Sequence, residues 1–149
     1  MSTISPVLQA FFDQYERSRN SWDVELFASQ YPDSWMYAGP DGPRVADKQT
    51  LLAGLPKGQE LLKTIGHTST KLVSLSETRL DEEYAMVRAL FVWRFERAPP
   101  QPIDVEVDST FIVHIKDGVP KIVFQHEHEE FLQALQARGV LPRDWNPAR

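Results

Sequence analysis

The sequence predicts an α+β domain, with helices first and a curved antiparallel sheet of long strands wrapped around them. Three observations predict it. Up to Ile65 the apolar residues recur mainly at helical spacing, from His67 onward they alternate as strands do, and Asp117-Gly118 lies between two alternating runs. An Asp-Gly pair supplies the positive φ angles that a two-residue hairpin needs, so Asp104 to His128 reads as two antiparallel strands closed at that turn.

The elements follow in order. Ser5 before Pro6 is a helix start, a hydroxyl cap followed by proline at the first helical position. Val7, Leu8, Phe11, Phe12 and Tyr15 then mark one buried stripe. A second short helix is expected from Asn20 or Ser21, burying Trp22, Leu26 and Phe27 and stopping at Tyr31-Pro32. Ser34 to Ala38 is a short strand, and Gly39-Pro40-Asp41-Gly42-Pro43 must turn. Asp47 caps a third helix carrying Leu51, Leu52 and Leu55; Gly54 and Pro56 interrupt it, and the pattern resumes with Leu61, Leu62 and Ile65 before Gly66.

From His67 the texture is extended. His67 to Leu80 is a strand, Asp81-Glu82-Glu83 a turn, and Tyr84 to Arg97 a long strand with Ala85, Val87, Ala89, Phe91, Trp93 and Phe95 on one face. Ala98 to Pro102, with its prolines, cannot join a ladder and reads as an exposed connection. After the Asp117-Gly118 hairpin, Glu129 to Arg138 forms a final helix ended by Gly139.

The hairpin implies a register. If Lys116 and Val119 bracket the turn, Val113 opposes Ile122, Phe111 opposes Phe124 and Ser109 opposes His126, all on one apolar face with a polar end. The other face pairs His114 with Lys121, Ile112 with Val123, Thr110 with Gln125 and Asp108 with Glu127. The last pair sets like charges together, so the ladder is expected to bulge or end there.

Composition bounds the function. A chain of 149 residues, 42% hydrophobic and 25% charged, is expected to form one soluble domain spanning 1–149, with its core over 5–138 and a tail over 139–149. No apolar run approaches the roughly 20 residues of a membrane helix, so no membrane partner is expected. Met1 to Pro6 lacks the pattern of a secretory signal, which makes the cytoplasm the expected location. No cysteine is present, excluding disulfides and thiolate chemistry. A net charge of −5 without a Lys or Arg cluster argues against nucleic acid.

Three stretches carry a family resemblance: Asp23 to Tyr31, Gly39 to Leu52, and Lys116 to His126, where a Gly turn leads into an Ile-Val strand ending in His. With the helix-then-meander order they make the chain similar, from about Val7 to Leu135, to the nuclear-transport-factor-2-like superfamily, which includes polyketide cyclases and ketosteroid isomerases. The resemblance implies a cone-shaped fold, a pocket between the concave sheet face and the first helices, and a homodimer through the outer sheet face. It places the ketosteroid isomerase base near Gly39-Pro40, the helix-one tyrosine near Phe11 and the protonated aspartate near Phe111. Glycine and phenylalanine transfer no proton, so the resemblance argues a fold rather than that activity.

Candidate site residues follow from the faces. His126, opposite Ser109 at the polar end of the inward face, is a general-base candidate titrating near neutral pH; the bland alternative is a structural histidine bonded to a carbonyl or hydroxyl. Tyr37, or Tyr15 in its place, would be the acid. Trp35, Tyr37, Tyr15, Trp93, Phe111 and Phe124 would line an aromatic cavity for a flat apolar ligand, although core is the favoured reading for Phe111 and Phe124, and Tyr37 and Tyr15, whose hydroxyls need a partner when buried, are the better pocket candidates. His126-Glu127-His128 suggests a metal, but no third ligand faces it, so neither metal nor other cofactor is expected. Arg88 and Arg94 belong to the outer face, where Asp104, Glu106 or Glu127 could pair with them, and Ile112, Val123, Leu90 and Val92 make that face a dimer candidate. The expected function is binding of an apolar or aromatic small molecule. The alternatives are an isomerase, cyclase or dehydratase using a His base and a Tyr acid, and a protein-interaction module with a filled interior.

Overall fold

The stripe behind Pro6 forms α1 (Pro6–Ser21), which buries Leu8, Phe11, Phe12 and Tyr15. Ser5 occupies the cap position, but its hydroxyl makes no capping bond; the Ser5 amide donates to Glu77 Oε1 at 2.8 Å instead. The computed structural model describes residues 4–96 and 102–145. α1 ends where Trp22 takes a left-handed backbone, φ 58°. Asn20 and Ser21 therefore belong to α1, and the next helix starts later than expected: Asp23 caps α2 (Val24–Ser29), accepting the Leu26 amide at 3.1 Å.

β1 (Ser34–Gly39) turns at Pro40-Asp41 into β2 (Gly42–Asp47), a strand where only a loop was expected. Its Pro43 is tolerated because β2 is an edge strand paired with β1 alone. Asp47 then caps α3 (Lys48–Thr64) through the Thr50 amide at 2.9 Å. Contrary to expectation, α3 runs unbroken through Gly54 and Pro56. Pro56 is exposed, and burial of Leu55 and Leu62 holds the helix together across it.

β3 (His67–Arg79), β4 (Tyr84–Phe95), β5 (Ile103–Lys116) and β6 (Val119–Glu127) follow, with α4 (Phe131–Ala137) last. The connection expected at Ala98 to Pro102 lies, apart from Pro102, outside the described residues. Together the strands make a curved six-stranded sheet in the order β2-β1-β6-β5-β4-β3, antiparallel except for β1 beside β6.

The hairpin closes as expected, with Asp117 at φ 52° and Gly118 at φ 75°. Its register holds from Lys116↔Val119 to Val113↔Ile122 and then shifts: Ile112 opposes Phe124, Phe111 opposes Gln125, Thr110 opposes His126 and Ser109 opposes Glu127. Val123 is the extra residue of a β-bulge. One inserted residue exchanges the faces of everything beyond it. Gln125 and Glu127 point inward, whereas Phe124 and His126 point outward, correcting the inward placement of both.

Two apolar clusters fill the concave side. In one, α1 packs on β4 and β5, with Phe12 against Phe111 at 5.2 Å and Tyr15 against Phe91 at 5.1 Å between ring centroids. The other joins the end of α3, α4, Phe95, Val105 and Val140, with Trp145 docked on it. Trp93 touches both.

Candidate functional site

Between the two clusters the structure leaves a cavity of about 720 Å³. Trp35 and Tyr31 wall it from one cluster and Trp22, Leu62, Phe131 and Leu132 from the other, with Trp93, Phe27, Leu51 and Leu55 completing the apolar lining. The Tyr31 and Trp35 rings lie 4.2 Å apart. Size and lining match a small-molecule site, apolar walls with few polar groups.

Those polar groups stand at two ends. The floor is a buried network built on Arg19, one helical turn beyond Tyr15. Arg19 Nη1 donates to Ser18 Oγ at 2.7 Å and to Gln30 Oε1 at 3.0 Å, and Nη2 donates to the Tyr31 hydroxyl at 3.0 Å. The guanidinium is sandwiched between the Tyr15 ring at 3.7 Å and the Phe27 ring at 4.2 Å. Tyr31 in turn donates to Gln125 Oε1 at 3.0 Å, Gln125 Nε2 donates to Glu127 Oε1 at 2.6 Å, and Ser109 donates to Glu127 Oε2 at 2.6 Å.

At the mouth, Arg44 opposes Tyr37 across the β1–β2 ladder and lies over its ring at 4.6 Å. The Tyr37 ring also packs on Gly39, where an added Cβ would come within 3.2 Å of Cε1. Asp47 and Thr50 border the mouth, the carboxylate occupied as the α3 cap.

The electrostatics fix the protonation states. Burial pushes the Tyr15 and Tyr31 phenols above their ordinary range, and burial, then Glu127, pushes Tyr37 up to about 12. All three are neutral hydrogen-bonding groups at neutral pH. Burial works against the charge of Arg19, but the neighbouring phenols carry the net shift upward, so it stays protonated. Hydrogen bonds from Thr50 hold Asp47 below the usual carboxylate range. Among the described residues no histidine lines the cavity. The arrangement can bind and orient a ligand, and it presents no base that titrates near neutral pH.

Several solved structures share this arrangement of elements. A protein from Shewanella oneidensis, described as NTF-2-like and of unknown function, is 18% identical, with a TM-score of 0.64 over 83% of this chain and 97% of its own. A protein of unknown function with a cystatin-like fold from Nostoc punctiforme is 13% identical, with a TM-score of 0.65 over 88% and 96%. This chain has the nuclear-transport-factor-2-like fold. The β subunit of a benzoate 1,2-dioxygenase from Burkholderia mallei shares it at 15% identity, with a TM-score of 0.67 over 87% of this chain and 93% of that one. No protein-family model and no curated protein matches the sequence.

On this fold the sequence-derived candidates divide. Trp35, Tyr37 and Trp93 line the cavity. Tyr15 and Phe111 are packed in the core beneath it, and Ser109 is buried at the far end of the network on Glu127. Phe124 and His126 lie on the outer face. His126 Nδ1 is 2.8 Å from the Ala38 carbonyl oxygen, and its ring meets His128 edge-on at 4.6 Å. The bulge at Val123 therefore keeps His126 and Tyr37 from converging on one ligand atom within the cavity.

Arg19, Tyr31, Gln125 and Arg44 were not among the candidates. A signal existed for Arg19, because the stripe Leu8, Phe11, Phe12, Tyr15 extended one turn lands on Ser18 and Arg19, both buried. Gln125 became visible only with the shifted register.

Proposed function

We propose that this protein is a binding domain for an apolar or aromatic small molecule held in the cavity between the two clusters. The observation that supports it is the cavity itself: about 720 Å³, walled by tryptophan, phenylalanine and leucine, with polar groups confined to floor and mouth. A filled interior would leave no such space. An isomerase, cyclase or dehydratase built on His126 draws no support from the geometry, since that imidazole serves the Ala38 carbonyl on the opposite face.

The test is direct because Trp22, Trp35 and Trp93 border the space. Titration with 2-naphthol, followed by quenching of tryptophan emission, is expected to saturate. Gly58 on α3 faces the cavity, and a Cβ there meets only the Trp22 ring at 3.7 Å. Gly58→Leu therefore projects into the space while favouring the helix, and is expected to weaken naphthol binding at least tenfold at undiminished melting temperature. Absence of saturable binding to the wild type would overturn the reading.

The outer face supports a second element of the proposal, a homodimer. Met36, Phe124, Ile112 and Met86 are successive cross-strand neighbours over four strands and form an apolar row. Met36 and Met86 are each 38% exposed. The charges beside the row are already satisfied within the chain, Arg88 on Asp108 at 2.6 Å and Arg94 on Asp104 at 2.8 Å. A row of this kind suits a second copy of itself across a two-fold axis.

A further inference from the structure

We propose that the ligand of this cavity carries a carboxylate, which enters first and binds Arg19 at the floor; this rests on the reading of the cavity as a small-molecule site. Arg19 is a cation with only 8% of its surface exposed. Taking a guanidinium out of water is costly unless an anion and hydrogen bonds replace the lost hydration. The fold supplies the hydrogen bonds and two ring faces, but the partners at Ser18, Gln30 and Tyr31 are all neutral. Among the described residues no carboxylate lies within ion-pair distance of it. The carboxylate of the network, Glu127, stands three hydrogen bonds away, through Tyr31 and Gln125, with its oxygens taken by Gln125 and Ser109.

The guanidinium has five N–H donors. Three are committed to Ser18, Gln30 and Tyr31 among the described residues. That leaves a donor for a ligand, on a side chain that itself lines the cavity. A ligand carboxylate would satisfy that donor and supply the absent counter-charge in the least hydrated part of the site, where a charge-assisted bond is strongest. Arg44 at the mouth offers a weaker case, because it is exposed and water already solvates it. The ligand's apolar body would then lie along Trp35, Trp93, Leu55 and Leu62.

A matched pair of probes tests this. 2-Naphthoate and 2-naphthamide share a ring system and differ in charge. The wild type is expected to bind naphthoate at least tenfold more tightly than naphthamide, a preference that survives Arg44→Gln and collapses towards unity in Arg19→Gln. Equal or tighter naphthamide binding, or a preference lost with Arg44 and kept without Arg19, overturns the inference while leaving the cavity reading standing. Binding of neither probe overturns both. Should Arg19→Gln not fold, co-crystals of the wild type with 6-bromo-2-naphthoate decide the matter. Anomalous bromine signal at the mouth places the carboxylate on Arg19, and signal at the floor refutes it.

Discussion

Removing the Tyr31 hydroxyl isolates the cost of the buried network. Tyr31→Phe leaves the ring in place against Trp35, so packing is retained and two hydrogen bonds are lost. One is accepted from the charged Arg19, worth about 1.5 to 3 kcal/mol; the other is donated to the neutral Gln125, worth about 0.5 to 1.5 kcal/mol. Both partners stay buried, which places the expected destabilisation at roughly 3 kcal/mol. For a chain of this length that corresponds to a fall in Tm of about 6 to 12 °C. Urea unfolding followed by tryptophan emission measures it, with a lower midpoint at unchanged slope. A double-mutant cycle with Gln125→Met adds the coupling, expected to exceed about 0.5 kcal/mol. A loss below about 1 kcal/mol would refute the reasoning, because water from the cavity would then be satisfying Arg19 as well as the phenol does.

The remaining predictions concern other parts of the molecule. Pro56→Ala restores an amide inside α3 at an exposed position and is expected to raise stability by about 1 to 3 kcal/mol, read by urea unfolding. Burial lowers the pKa of His67, which bonds Thr70 Oγ1 at 2.8 Å. The unfolded chain therefore binds its proton more readily, so the stability tied to neutral His67 is complete above about pH 6.5 and lost as pH falls through the lower folded value. His67→Gln should flatten the stability profile below pH 6.5, and an unchanged profile would count against it. Light scattering at micromolar concentration is expected to give twice the chain mass of 17.1 kDa, and Met86→Lys to return the monomer; a monomeric wild type ends the dimer proposal.

Legibility in the sequence followed the range of the interactions. Helix stripes, the Asp117-Gly118 turn and the alternation of β4 and β5 are local patterns, and they placed α1, the long strands and the inward row from Ala85 to Phe95. β2 was hidden because glycine and proline read as turn until the strand is known to be an edge. The site suffered most from one residue. The bulge at Val123 falls where three apolar residues, Ile122 to Phe124, are followed by three polar ones, Gln125 to Glu127, so no alternation marks where the count slips. It exchanged His126 for Gln125 in the interior. Tyr37, Trp35 and Trp93 escaped this error because their faces do not depend on β6.

The edge position of β2 bears on exchange kinetics. Arg44, Val45, Ala46 and Asp47 form part of the rim, yet β2 meets the rest of the sheet only through β1, and β1 only through three parallel pairs, Met36 to Ala38 with Phe124 to His126. The rim can therefore fray while β3 to β6 stay paired, since edge hairpins open locally at far less free energy than central strands. For a ligand bound as proposed, affinity would be set at the floor and residence time at the rim. His126, tethering Ala38, would then act as a latch on how long that ligand stays.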